Sequence, residues 1–234
     1  TKSHNLMFSY ALRISENMNL RIEPYYQHLF DIPVETGSSF AVINRTDYYV
    51  EHALNNDGLG RNYGVDITLE RYLARGFYYM ANASLFDSKY KGGDGIWRNT
   101  RYNRKYIFNF LIGKEWGMGR DRANTLSVNL KFAYQGGERY SPVDEAATLA
   151  HPDKETQYDE TRAFSMQYPS MFLANFAAGY RINRPKTSHQ FSVELLNLTR
   201  AEDYHGYHYN LKNGVIERNA TASPISNISY RIYF

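Results

Sequence analysis

Two short segments of this 234-residue chain concentrate side chains able to hold a ligand. Tyr90, Trp97, Arg98 and Tyr102 fall within 87–104, beside Lys91, Asp94 and Arg101. Aromatic rings offer flat faces for stacking, and guanidinium groups offer paired donors for anions. The mixture suits a sugar, a peptide or an anionic iron chelate. Its plainer reading is loop packing with an interfacial aromatic girdle. The second segment is Tyr204-His205-Gly206-Tyr207-His208-Tyr209. Only residues two apart share a face of a strand, so the spacing of His205 and His208 argues against a preformed metal pair. The Asn213-Gly214 turn signal instead predicts a hairpin through 211–215 that orders the loop. Arg139 and Tyr140, in Gly136-Gly137-Glu138-Arg139-Tyr140, complete the candidate ligand set.

Other chemistries find little support. The stretch 136–169 carries Asp144, Glu145, Asp153, Glu155, Asp159 and Glu160 among Pro142, Pro152 and Pro169. Calcium is conceivable, but the spacing does not match an EF-hand loop, and a solvated mobile loop is the expectation. Gly-x-Ser-x-Gly, His-Glu-x-x-His and a Walker loop are all absent, so no catalytic residue is nominated and an enzyme is not expected. With no Cys there is neither a disulfide framework nor a thiolate metal site, and no metal or cofactor is expected. A net charge of +3, evenly spread, does not suggest nucleic acid. Asn197-Leu198-Thr199 and Asn219-Ala220-Thr221 match the glycosylation pattern and are read as chance.

The elements that must position these groups read as strands. Leu6, Phe8, Tyr10, Leu12 and Ile14 alternate with polar or small residues, as do Tyr63, Val65, Ile67 and Leu69. Phe77 through Leu85, then Phe108, Phe110 and Ile112, continue the pattern. It is clearest at Leu126, Val128, Leu130, Phe132 and Tyr134 against Ser127, Asn129, Lys131 and Ala133. Phe172 to Ile182, Phe191 to Leu195 and a last strand at 228–234 bring the total to about nine strands, most of roughly 9–13 residues. Short turns at 15–18, 73–76, 117–123 and 183–188 alternate with long segments at 31–61, 87–104, 135–169 and 198–223. No run of 18 apolar residues is present, which excludes a transmembrane helix but not a membrane β-barrel. Tyr is unusually frequent at 22 residues, and its amphipathic ring suits a membrane interface. Glu23, Asp66, Glu70, Lys131, Glu194 and Arg231 share the polar faces, where they would line a lumen. A soluble sandwich, the alternative, would use shorter strands. Pro24 cannot donate to a ladder and predicts a bulge or a gap in pairing.

The last strand ends Ile228-Ser229-Tyr230-Arg231-Ile232-Tyr233-Phe234, apolar on alternate residues and closing on an aromatic. It resembles the C-terminal strand of Gram-negative outer-membrane barrels, so Tyr230, Ile232 and Phe234 are read as a barrel-assembly signal at the periplasmic rim. Five further phrases extend the likeness: Glu23-Pro24-Tyr25-Tyr26-Gln27, Arg61-Asn62-Tyr63-Gly64-Val65-Asp66, Gly113-Lys114-Glu115-Trp116, Gly136-Gly137-Glu138-Arg139-Tyr140 and Glu194-Leu195-Leu196-Asn197-Leu198-Thr199. Together they resemble the C-terminal barrel portion of TonB-dependent outer-membrane receptors of the Bacteroidetes type, over most of the chain.

That resemblance implies an all-β, antiparallel transmembrane β-barrel of 22 strands, of which 1–234 is a C-terminal part. An odd strand count cannot close a single-chain bacterial barrel, so the remaining strands are expected upstream, as in a C-terminal fragment, or in another chain; the resemblance implies a plug domain, also outside this segment. The implied function is energy-coupled import of a nutrient such as a siderophore, glycan or peptide. The alternative is a non-transporting outer-membrane barrel acting in surface binding or as an assembly scaffold. Implied partners are outer-membrane lipid, the N-terminal barrel and plug of the same receptor, TonB acting through that plug, the barrel-assembly machinery and, in this branch, a surface lipoprotein.

Overall fold

A computed structural model describes residues 1–45, 50–51 and 53–234. Its wall is an antiparallel sheet of 11 strands. In chain order these are β1 (Lys2–Met7), β2 (Tyr10–Ser15), β3 (Met18–Val34), β4 (Asn55–Ala74), β5 (Phe77–Lys91), β6 (Trp97–Asn99), β7 (Tyr106–Met118) and β8 (Asn124–Gln135). Short strands β9 (Arg139–Tyr140) and β10 (Met166–Gln167), with helix α1 (Glu145–Ala150) between them, belong to a connection. The wall resumes with β11 (Met171–Asn183) and β12 (Ser188–Leu196). A hairpin of β13 (Asp203–Asn210) and β14 (Val215–Thr221) follows, then β15 (Ile225–Tyr233).

Each wall strand pairs with its neighbour in the path β1-β3-β4-β5-β7-β8-β11-β12-β15, with β2 also on β3 and β6 on β5. β1 and β2 form one interrupted wall strand, and the interruption lies opposite Pro24. Met7 pairs with Tyr25 and Tyr10 with Ile22. Between them the Phe8 amide still donates to the Pro24 carbonyl at 3.1 Å, but Pro24 has no N–H to return the bond. Counted this way, nine wall strands match the period-two reading of the sequence.

Alternation explains the two faces. Ile22, Ile67, Ala83, Phe108, Tyr134 and Phe172 stand opposite one another on successive strands. The next row is Leu20, Leu69, Ala81, Phe110, Phe132 and Ala174. Rings stack along it, Phe110 on Phe132 at 6.5 Å, and between the rows, Phe132 on Phe172 at 6.2 Å and 2°. The opposite face carries Arg21, Thr68, Asn82 and Asn109 in one row, and Asn19, Glu70 and Lys131 in another. There Ser84 donates to Asp66 at 2.6 Å and Asn62 to Gln27 at 2.7 Å, satisfying polar groups locally. Among the described residues no helix is long and apolar enough to cross a membrane, which says nothing about crossing by strands.

Short turns gather at one rim. Arg75 and Gly76 join β4 to β5 with φ of 53° and 73°, the double positive φ of a type I′ hairpin turn. The β7–β8 and β11–β12 turns lie at the same rim, as does the end of β15, since Tyr233 pairs with Ser188. The long connections gather at the other. β3, β4 and β5 run to 17, 20 and 15 residues, longer than expected, because they continue past the apolar rows into that loop rim.

The fully buried core lies in the loop rim rather than along the sheet. Ile32, Val34, Ala41 and Tyr90 form it, with Leu29, Ile43 and Phe164 packed against them. The connection 136–169, expected to be a solvated mobile loop, is folded. Asp144 caps α1 by accepting from the Ala147 amide at 2.9 Å, and buried Thr148 accepts from the Gln157 amide at 2.9 Å. Asp159 caps a turn of 3-10 helix at 160–162 and accepts from Arg162 at 2.7 Å. The Thr161 hydroxyl, then Arg162, hold its carboxyl down to about 2. Two of the carboxylates considered for calcium therefore act as helix caps.

Candidate functional site

Tertiary folding of the loop rim sorts the ten candidate ligand residues into separate places. Tyr90 is fully buried and donates to the Ser39 carbonyl at 2.9 Å. Arg98 is turned inward as a bidentate partner of Asp94, at 2.9 and 2.7 Å. Trp97 lies on the other side of the sheet, continuous with the apolar face, with the Arg61 guanidinium 4.7 Å from its ring. Tyr102 is exposed on the loop, and His208 sits across the hairpin from Glu217. Neither belongs to a shared pocket with the others.

Arg139, Tyr140, Tyr204 and His205 do come together. They line one cleft with Asn44, Arg101, Tyr158, Glu160 and Tyr168. β9 pairs with β10 and holds Arg139 and Tyr140, both of which line the cleft. The hairpin β13–β14, turned by Gly214 at φ 72°, brings Tyr204, His205 and Tyr207 over them. Gly206 at φ 110° lies within the register shift between Tyr204 and Tyr207.

Three rings stack in series: Tyr140 on Tyr168 at 4.2 Å, and Tyr168 on Tyr204 at 5.0 Å and 9°. Tyr207 donates through its hydroxyl to that of Tyr140 at 3.0 Å, and its amide donates to Tyr158 Oη at 3.3 Å. Arg218 closes the stack from outside, 5.3 Å over Tyr204. Burial first, and then the adjoining Tyr207 phenol, push the Tyr140 phenol up to about 12. Burial likewise pushes Tyr168 up.

The cleft floor is donor-rich. Arg101 and Arg104 share Glu138, at 3.0 and 2.6 Å. Arg139 donates through Nε to the Asn103 carbonyl at 3.3 Å, and burial weakens its hold on its proton. Asn44, 6% exposed, accepts from the Arg101 amide with its oxygen while its Nδ2 has no partner among the described residues. Glu160, which accepts from Ser39 at 2.8 Å, is the acid of the lining. Such a set binds by stacking and charge-assisted hydrogen bonds. Sequence reasoning passed over Asn44, Tyr158 and Tyr168; the position of Tyr168 beside Pro169, after a long polar stretch, was its one local signal.

At the opposite rim, Tyr230 and Ile232 stand on the apolar face beside Phe191 and His189, and Phe234 is 99% exposed.

No protein-family model matches the sequence, and no curated protein matches it. In fold the chain is similar to the ferric-catecholate import receptor Fiu from E. coli K12 in its closed form, with a TM-score of 0.60 at 12% identity. The likeness covers 98% of this chain and 27% of that receptor. This likeness shows the fold alone: an all-β antiparallel sheet of β-barrel architecture. The chain spans about a quarter of the receptor it matches.

Proposed function

We propose that this chain is part of the barrel wall and loop rim of a TonB-dependent outer-membrane transporter of a Gram-negative bacterium. The whole receptor would import a nutrient such as a siderophore, a glycan or a peptide. On this reading the apolar face meets lipid, and the polar face lines a lumen holding a plug carried elsewhere in the protein. The short-turn rim is periplasmic, with Tyr230, Ile232 and Phe234 presented to the barrel-assembly machinery. The loop rim is outside, where a surface lipoprotein could dock.

One observation carries the reading. A single sheet combines an apolar and a polar face, short turns at one rim, and at the other a folded cap with an aromatic, donor-rich cleft. The fold likeness to an import receptor for ferric catecholates supports it and adds iron chelates of that chemistry to the candidates. The Bacteroidetes affiliation rests on the sequence phrases alone. The edges β1/β2 and β15 would pair with strands outside this chain.

The test is growth and uptake. A strain lacking the gene should fail to use one nutrient at limiting concentration, and the intact gene should restore use. Arg139→Ala with Tyr204→Ala should raise the concentration needed by about tenfold or more, as expected for loss of a charge-assisted bond and a ring face. Uptake should stop with a protonophore. Uptake that continues without a proton-motive force would remove energy coupling and leave the non-transporting alternative.

A further inference from the structure

The apolar face is not smooth. Ala81 and Ala83 on β5 form the floor of an open groove of about 380 Å³, walled by Ile67 and Leu69 on β4 and by Phe108 and Phe110 on β7. Phe132, Tyr134 and Phe172 on β8 and β11 extend the wall on the β7 side, so the groove is open and apolar rather than a closed pocket. Followed along β5 toward the loop rim, the same face changes character. Leu85 comes next, then Asp87, then Lys89 opposite Arg61. From Ala83 to Lys89 is about 20 Å along the strand, or about 15 Å of depth at the tilt usual for barrels.

The charged end is net basic. Asp87 is shared by Lys105, which contacts it directly, and by Lys89 at 3.8 Å. One carboxylate thus faces two ammonium groups. Arg61 adds a third cation: it lies over Trp97 at 4.7 Å, and its buried Nε has no hydrogen-bond partner. Tyr63 marks the boundary between the two zones and donates to Asp87 at 3.1 Å.

We propose that this strip is a binding site for one anionic, phosphate-bearing lipid of the loop-side leaflet. Its acyl chain would lie in the Ala81–Ala83 groove and its phosphate on Arg61 and Lys89. The inference rests on the membrane-wall reading above. Two separate features point to this occupant. The groove is apolar with walls of aliphatic and ring carbon, and the cations sit one acyl-chain length further along the same face, at the depth where headgroups begin. A neutral lipid would leave the cations unused, and a soluble anion would leave the groove unused.

The test uses the complete receptor that contains this segment, reconstituted in phosphatidylcholine vesicles doped with phosphatidylglycerol of the same chain length. The vesicles are floated, the receptor is released gently into detergent, and retained lipid is weighed by native mass spectrometry. Wild type should retain phosphatidylglycerol over phosphatidylcholine by about tenfold or more. Arg61→Gln with Lys89→Gln should abolish the preference while the receptor still floats. Ala83→Phe, which fills the groove, should reduce retention of either lipid. Equal retention of the two lipids by wild type, or undiminished retention by Ala83→Phe, overturns the inference alone. A receptor that does not float with the vesicles overturns the membrane-wall reading, and this inference with it.

Discussion

Single residues in the loop cap have predictable signatures. The Tyr140 phenol is half-buried against the Tyr207 phenol, so the folded protein keeps its proton to about pH 12, whereas an unfolded chain releases it near 10. The sign follows from proton binding: the folded state holds the proton more tightly. The contribution of the cluster is therefore complete below about pH 10 and is lost as pH rises through about 12. Tyrosinate absorbance across an alkaline titration should show a late component that Tyr140→Phe removes. On the polar face, Gly113 lies under the Tyr78 ring, whose hydroxyl donates to Asn129. A methyl group at 113 would overlap both that ring and the Asn129 amide. Gly113→Ala should cost about 1–3 kcal/mol in urea unfolding, as overpacking does. The double change with Tyr78→Ala should recover the part that is steric.

Among elements, the hairpin β13–β14 stands outside the wall ladder and is held to the loop cap by side chains. Tyr168 is the central ring of the stack that fastens it, with Tyr140 on one face and Tyr204 on the other. Aromatic pairs contribute about 0.5–1.5 kcal/mol each. Tyr168→Ala should therefore speed proteolysis within 205–217 by about tenfold while leaving cleavage of the wall unchanged. The hairpin itself was legible in Asn213-Gly214, and the wall in its period-two rows, because both are local patterns of side-chain type. The gap opposite Pro24 was legible for the same reason: a missing N–H is a property of one residue. The folded state of 136–169 was not. Its order comes from Asp144 and Asp159 capping short turns and from Tyr168 meeting rings far away in the chain. Composition shows those residues only as acids and aromatics in a polar stretch. The burial of Tyr90 and the pairing of Arg98 with Asp94 were hidden by the same limit. Nothing local distinguishes a ring that fills a loop core, or a guanidinium spent on Asp94, from one turned to a ligand. The extra length of β3 to β5 was hidden because the alternation fades at His28, Arg61 and Lys89, where the outer face turns polar.

At the scale of the whole molecule, the proposed wall would face two solvents, and substitution can tell the sheet faces apart. Leu130 stands in mid-strand on the apolar face, and Asn109 stands in mid-strand on the polar one. In a soluble sheet both positions would see water or a partner layer, and an arginine would be tolerated wherever it was exposed; Leu130 is 37% exposed here. In a membrane wall the two sites differ sharply. A lipid-facing arginine near the midplane costs about 2–4 kcal/mol, while one facing the lumen finds water and neighbours such as Asp66 and Glu70 on its own face. On that reading, Leu130→Arg should destabilise the complete protein by that amount when it is unfolded by urea from vesicles. Asn109→Arg should change stability by well under half as much, with altered passage through the lumen as its main effect. The comparison needs no knowledge of the substrate, because it depends only on which face the hydrocarbon touches. Equal costs at the two sites would mean that both faces meet the same medium, and the apolar rows would then have to be covered by protein instead of lipid.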